Sequence, residues 1–291
     1  MNNAPVYAVL VSYHPGDEVV GNVRALLEQV DHVVVVDNTP VAKPSEPLDE
    51  ISGMDRCTVI FNRENLGIAA ALNIGIRFAL THGAEWILTS DQDSTVQVGY
   101  VEAMLKTYRE LSTHTKVGIL CPRYYDPRLK IFLSPLLSRT GVILECMTSG
   151  SLFQSILFDT IGPMDEALFI DCVDTEYCLR LRARGFSIVE SRGSILNHSL
   201  GNIEIRKSLG KNIFITNHSP KRRYFISRNL FFLIKKYFKV DQEWARCRIG
   251  FLIFDTVHVA VFESQRMIKI RYMAKAFTDG MFNRLGNRVG L

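Results

Sequence analysis

Residues 32–38 read HVVVVDN, four valines in succession closing on an aspartate and an asparagine. A strand with one wet face alternates apolar and polar residues, whereas an unbroken β-branched run belongs to a strand covered on both faces. Strands of that kind lie in parallel sheets with helices on either side, so this stretch predicts an α/β fold. The flanking sequence agrees. Upstream, VYAVLVSY (6–13) is β-rich and DEVVGNVRALLEQV (17–30) repeats apolar residues at helical spacing. Downstream, a loop rich in proline (Pro40, Pro44, Pro47) leads to a strand CTVIFN (57–62) and a helix LGIAAALNIGIRFALTHG (66–83) stopped by glycine. A strand AEWILTS (84–90), an amphipathic helix near 98–113 and a strand KVGILCP (116–122) follow.

Strands alternating with helices imply right-handed crossovers and a largely parallel sheet. Ligands of such sheets bind at the carboxyl ends of the strands. That rule selects Ser12 and Tyr13, Asp37 and Asn38, Asn62 to Asn65, and the pair Asp91 and Asp93, and expects all of them around one crevice.

At 291 residues, 47% hydrophobic and 22% charged, the chain can bury one substantial core with an appendage. The opening MNNAPVYAVLVSYHPGDE has no basic segment ahead of its apolar run, which argues for a first strand rather than a leader or a membrane span. The six cysteines show neither C-x-x-C pairing nor zinc spacing and read as reduced core residues of a cytosolic protein. Without secretion, the NHS triplets at Asn197 and Asn217 are not expected to carry glycans.

The second half is less regular. SRTGVILECMTSGSLFQ (138–154) contains β-like stretches around a turn, and a helix is expected from about Val173 to Arg184, stopped by Gly185 and followed by a strand. From about 218 the sequence reads as two or more apolar-basic helices. IGFLIFDTVHVAVF (249–262) is too short and, with Asp255 and His258, too polar to span a bilayer. The net charge is +4, and Lys and Arg concentrate from Lys207 onward. That distribution is either a solvated helical face or an attraction to anionic lipid; nucleic acid is disfavoured, since no reading motif is present.

Neither G-x-G-x-x-G nor a phosphate-binding P-loop occurs, which disfavours a dinucleotide or P-loop site. Asp37 can cap a turn or accept the ring N–H of a pyrimidine. Asn65 and Gly67 open a helix, as a cap or with backbone N–H groups facing a ligand. Asp91 and Asp93 in TSDQDS are a polar turn, or a Mg²⁺ or Mn²⁺ site holding a diphosphate. His198 is a structural histidine or an additional ligand. In the acidic cluster Asp165, Glu166, Asp171, Asp174 and Glu176, the last two sit in a helical first turn, where they either favour the helix dipole or serve as a general base.

Taken together, VLVSYHPG, VVVVDN, NRENLGIAAALNIGI, TSDQDS, TSGSLF, FIDCVDTEYCLRLRARGF and NHSPKRRYFISRN resemble an inverting family 2 glycosyltransferase of the GT-A fold, over roughly residues 5 to 235. The last four segments resemble bacterial rhamnosyltransferases that use dTDP-L-rhamnose. The resemblance implies a Rossmann-like, mostly parallel sheet with helices on both faces. Residues 1–215 would form the transferase domain (1–115 nucleotide-sugar half, 116–215 acceptor half), and 216–291 an amphipathic helical region. It implies that Ser12, Tyr13, Asp37, Asn65, Gly67, Asp91 and Gln92 contact the donor, and that Asp91, Asp93 and His198 hold Mg²⁺ or Mn²⁺. Asp174 would be the catalytic base, with Val173 where the wider family has glutamate. Glu176 would support it or touch the acceptor, with Gly150 on the acceptor side. The implied acceptor is a lipid-linked glycan or glycolipid of a cell-surface, O-antigen-like polysaccharide. The enzyme would be cytoplasmic and peripheral to the inner membrane, its basic helices docking on lipid or packing in a homodimer. A UDP-hexose donor and a non-catalytic scaffold are the alternatives.

Overall fold

The computed structural model describes residues 4–40, 45–197, 204–208 and 211–288, the hairpin residues before Ile215 by backbone alone. The chain divides into two compact units: Met1–Glu166 with Val173–Ser199, and Ala167–Cys172 with Leu200–Leu291.

In the first unit the elements follow in the order β1 (Val6–Ser12), α1 (Glu18–Leu27), β2 (His32–Asp37), α2 (Glu46–Ser52), β3 (Cys57–Phe61), α3 (Ile68–Thr81), β4 (Trp86–Asp91), β5 (Thr95–Val96) and α4 (Tyr100–Leu111). Then come β6 (Val117–Asp126), β7 (Ile131–Leu133), β8 (Leu136–Leu137), β9 (Ile143–Glu145), β10 (Leu152–Gln154), α5 (Ile156–Thr160), α6 (Val173–Ala183) and β11 (Ser187–Asn197). The main sheet runs β3-β2-β1-β4-β10-β6-β11-β5, with β7 added beside β6. β1, β2, β3 and β4 are mutually parallel, as are β6 and β11, while the short β10 runs antiparallel between β4 and β6. Val33 to Val36 are wholly buried, as an unbroken apolar run requires. The fold is GT-A: a mixed, mostly parallel sheet flanked by helices.

Helix α3 comes unusually close to that sheet. A Cβ on Gly75 would lie 2.4 Å from Val9 Cγ1 and 3.0 Å from Val36 Cγ2, so only glycine fits between helix and strands. The proline-rich segment after β2 differs from expectation, because part of it is α2. Pro47 sits in the first turn, where a missing N–H removes no helical bond.

The second unit holds a hairpin, β12 (Glu204–Ser208) and β13 (Lys211–Ile215), and three helices, α7 (Pro220–Tyr237), α8 (Gln242–Phe262) and α9 (Arg266–Met281). The hairpin was not legible as such, since basic residues interrupt its alternation. A small core of Phe169, Tyr224, Phe225 and Ala276 forms here. All six cysteines are free, yet not all are core residues: Cys247 is exposed on α8. Among the described residues no helix is long and apolar enough to cross a membrane.

Gly75→Ala is expected to cost about 1–3 kcal/mol through overpacking, read as a lowered thermal midpoint. Gly21→Ala in α1, where a Cβ meets nothing within 4 Å, should leave the midpoint unchanged or raise it by the helix propensity of alanine. Equal effects of the two would contradict the close helix–sheet approach.

Candidate active site at the carboxyl ends of the strands

β1 lies between β2 and β4, so the direction of strand addition reverses there and a crevice opens at the carboxyl ends. The register fixes what lines it. Ser12 is paired with Asp37, and Val11 with Asp91. A hydroxyl and two carboxylates thus sit at the tips of three adjacent strands, each about 4.8 Å from the next.

Asp37 is buried, and its Oδ1 accepts from Ser12 Oγ (2.9 Å) and Thr39 Oγ1 (2.8 Å). Both donors converge on one oxygen, leaving Oδ2 without a hydrogen-bond partner among the described residues. Asn38, the next residue, organises the loop before α3. Its Nδ2 donates to Asn65 Oδ1 (3.1 Å) and the Gly67 carbonyl (3.2 Å), and its Oδ1 accepts from Asn62 Nδ2 and the Leu66 N–H, both at 3.1 Å. Asn65 Oδ1 in turn accepts the Gly67 N–H at 3.0 Å. Gly67 itself has φ 87° and ψ 162°, a conformation essentially reserved for glycine. Asn65 and Gly67 therefore shape the start of α3 beside Asp37, and Asn38, which the strand-end rule selects alongside Asp37 without giving it a role, is the residue holding them.

Tyr13 is 43% exposed, and its backbone N–H donates to Gln92 Oε1 at 2.7 Å, while the Gln92 carbonyl accepts from Asn22 Nδ2 at 2.6 Å. Gln92 thus staples the tip of β4 to the tip of β1. Asp91 is half-buried at the end of β4 and Asp93 is exposed in the turn closed by the Ser94 N–H on the Asp91 carbonyl (3.3 Å). Ser149 supports this turn: its Oγ accepts the Asp91 N–H (3.1 Å) and lies 2.9 Å from Ser94 Oγ. The sequence places Ser149 in TSGSLF without assigning it a role. Next to it, Gly150 has φ +74°, and a Cβ there would stand 2.5 Å from the Tyr100 hydroxyl, which donates to the Gly150 carbonyl at 2.6 Å.

The segment around Ser149 also meets α6. Cys178 Sγ lies 3.8 Å from the Cys146 carbonyl and 3.9 Å from its sulfur. Their mutual contact and burial raise the Cys178 thiol well above its usual range, so it remains a protonated packing group. Half-buried Asp174 occupies the first turn of α6 and accepts the Thr175 N–H on Oδ1 at 2.8 Å. Glu176 is wholly buried, its Oε2 accepting from Arg180 Nε at 2.7 Å. Arg180 also donates to the carbonyls of Ile161 (2.9 Å) and Pro163 (2.7 Å), which fixes the chain leading towards α6. His198 lies outside the described residues.

The stretch immediately before α6 belongs to the helical unit. Phe169, Asp171 and Cys172 all have left-handed φ (67°, 61°, 61°), which costs about 1–3 kcal/mol each. Within that unit Asn229 Nδ2 offsets the strain by donating to the carbonyls of Leu168, Ile170 and Asp171 at 2.8–3.0 Å, and Arg228 Nη2 reaches Leu168 at 2.9 Å. Burial pushes the Asp171 carboxyl up against the opposing pull of Arg222.

A different cleft, of about 670 Å³, opens between Val6, Asp31, Arg56, Trp86 and Tyr108. It lies at the amino ends of β1 and β4, away from the convergent polar tips, and Asp31 there is engaged with the Val6 N–H at 2.7 Å. It carries none of the predicted site residues.

This arrangement defines an α/β protein that gathers carboxylates at the switch point of a mostly parallel sheet. The sequence profile described as glycosyl transferase family 2 matches residues 7–137. The chain is 32% identical to the dTDP-rhamnosyl transferase RfbF of Shigella flexneri, over 96% of both chains. It is 27% identical to the galactofuranosyltransferase GlfT1 of Mycobacterium tuberculosis, over 85% of this chain and 89% of that one. Among solved structures, GalNAc-T7 with UDP, GalNAc and Mn²⁺ superposes with a TM-score of 0.57 at 14% identity, covering 97% of this chain and 56% of that one. S. aureus TarS 1–349 with UDP-GlcNAc gives 0.53 at 12%, covering 96% and 73%. The chain belongs to glycosyltransferase family 2.

Asp91 and Asp93 fit a hard divalent cation. They offer carboxylate oxygens two residues apart on a turn braced by Ser149, and Asp93 is exposed. Among the described residues no group of three or more His, Cys, Asp or Glu forms a closed cage. A cation of the Mg²⁺ type takes one or two carboxylates and completes its shell with phosphate oxygens and water, so a carboxylate pair is the donor set it needs.

Asn38→Ala removes four hydrogen bonds at once and is expected to lower stability by about 1–3 kcal/mol in urea denaturation, with weakened nucleotide binding. Asn62→Ala removes one and should do markedly less. If the two variants match, the loop is not held through Asn38.

Proposed function

We propose that the chain is an inverting rhamnosyltransferase, moving L-rhamnose from dTDP-L-rhamnose to a hydroxyl of a lipid-linked glycan or glycolipid in cell-surface polysaccharide synthesis. The observation that carries the reading is the gathering of Ser12, Asp37 and Asp91 at the adjacent strand ends of the switch point, on a chain 32% identical over its length to a dTDP-rhamnosyl transferase.

In this reading the pyrimidine N3–H is received by Asp37, whose Oδ1 is taken by Ser12 and Thr39 and whose Oδ2 is left for the base. Exposed Tyr13 would contact the nucleoside, and the start of α3, shaped by Asn65 and Gly67, would present backbone N–H groups to the donor. Asp91 and Asp93 would hold Mg²⁺ or Mn²⁺, which supplies charge stabilisation to the departing diphosphate. Gln92 positions the donor by keeping β1 and β4 in step. The acceptor is received on the side of Gly150, whose buried backbone is held by Tyr100 and Thr89 and shapes the segment carrying Ser149. Asp174 takes the proton from the acceptor hydroxyl as its oxygen attacks the anomeric carbon opposite dTDP. The C1–O bond to the diphosphate breaks as the new glycosidic bond forms, and one displacement inverts the centre. Glu176, turned inward onto Arg180, is a positioning residue for the helix carrying Asp174. Such an enzyme works in the cytoplasm at the inner face of a membrane.

Asp174→Asn is expected to lose at least about 10²-fold in transfer while binding dTDP normally; retained turnover would remove Asp174 as the base. Calorimetric titration with Mn²⁺ present should give tighter binding of dTDP than of UDP, and Asp93→Ala should weaken dTDP binding with the metal but not without it. Preference for UDP would redirect the assignment to a UDP-hexose donor.

A further inference from the structure

Helix α8 is built inside out. A surface helix ordinarily turns apolar residues inward and charged residues to water. Here Asp255 and His258 are buried, while Ile253, Phe254, Val257 and Val261 are 63%, 67%, 57% and 57% exposed. From Ile249 to Val261 the exposed positions carry no charge, and Thr256 supplies the single hydroxyl among them. Ile249, Ile253, Val257 and Val261 recur every four residues and form one stripe.

The inward carboxylates are each matched to a buried cation. Both Asp255 oxygens accept from Arg223 Nη1 at 2.8 Å, Arg223 also reaches Glu263, and Glu263 accepts from Lys269 Nζ at 2.8 Å. Burial raises the Glu263 carboxyl, but Lys269 and Arg223 together outweigh it and hold it below its usual range. Two buried cations facing two buried carboxylates form a neutral set, so the charges on the inner side of α8 balance within the unit.

Beside the stripe, a groove of about 340 Å³ runs between α7 and α8, lined almost wholly by apolar side chains including Phe231, Ile234, Leu252, Ile253 and Val257. The same unit has a one-signed exterior. Among the described residues from Thr216 to Arg288 every exposed charged side chain is Lys or Arg, and Asp241, Glu243, Asp255, Glu263 and Asp279 are buried or half-buried. A second copy of this chain would bring like charges together around the stripe. An anionic bilayer satisfies the apolar stripe and the cations at once.

We propose that α8 lies in the head-group boundary of an anionic phospholipid bilayer. The Ile249–Val261 stripe rests against acyl chains, a chain end enters the α7–α8 groove, and the surrounding Lys and Arg meet lipid phosphates. The inference deepens the proposed function and rests on it for the lipid-borne acceptor, but its test needs neither donor nor acceptor.

The full chain is sedimented with vesicles of phosphatidylcholine alone and with vesicles containing one-third phosphatidylglycerol. Binding is expected to be at least about tenfold tighter to the anionic vesicles and to weaken as salt is raised. Phe254→Asp with Val257→Asp, both at exposed positions, should lose at least about tenfold of that affinity with the melting curve and dTDP titration unchanged. Absent binding to either vesicle, or binding by the double variant equal to that of the parent, overturns the proposal. So does a parent dimer that the double variant splits, since a second copy then covers α8. Vesicle binding without dTDP binding would leave the docking face standing and remove the transferase reading alone.

Discussion

The parallel pairing of β1 with β2 on one side and β4 on the other is the constraint on which the site depends. It places Ser12 opposite Asp37 and Val11 opposite Asp91, so residues scattered over eighty positions end at neighbouring strand tips. A slip of one residue in either ladder would turn the terminal carboxylate to the opposite face of the sheet. Several contacts guard against it. Gln92 ties the tip of β4 to the Tyr13 backbone, Ser12 and Thr39 close on Asp37, and α3 is drawn onto the strands at Gly75.

Much of this was legible because burial on both faces leaves a mark in composition. HVVVVDN could only be a central strand, and the strand-end rule then pointed to Asp37 and Asp91 without any contact being known. Gly67 and Gly150 each take a positive φ that the sequence could mark only as a glycine near a polar cluster. Less legible were groups whose role depends on partners distant in sequence. Ser149 braces the Asp91 turn across fifty-eight positions, and a lone serine carries no signal of that. Glu176 looked like one more acid in a first turn, yet Arg180 four residues on draws it into the interior. Proline at 47 suggested a loop because the same residue breaks a helix in its middle and is welcome at its start.

The helical unit shows how polar residues organise a small core. Arg228 and Asn229 occupy buried positions on α7 where an apolar pair would pack more simply. Their donors are matched to a run of carbonyls exposed by left-handed residues at 169, 171 and 172, so the strained backbone and the buried amide are each explained by the other. The segment ISRN in the sequence is therefore a backbone clamp, and its polar character reflects what it binds rather than solvent.

With Asp37 receiving the base as proposed, its arrangement also bears on what the site refuses. With Oδ1 taken by two hydroxyls, the remaining carboxylate oxygen can only accept a hydrogen bond. Thymine and uracil offer a hydrogen at N3, whereas cytosine presents a lone pair there, and two acceptors facing each other repel. In the proposed reading, an aspartate so placed disfavours cytidine-linked sugars while treating thymine and uracil alike. Discrimination between those two must therefore be made elsewhere, at the 5-methyl group of the base or the 2′ carbon of the ribose.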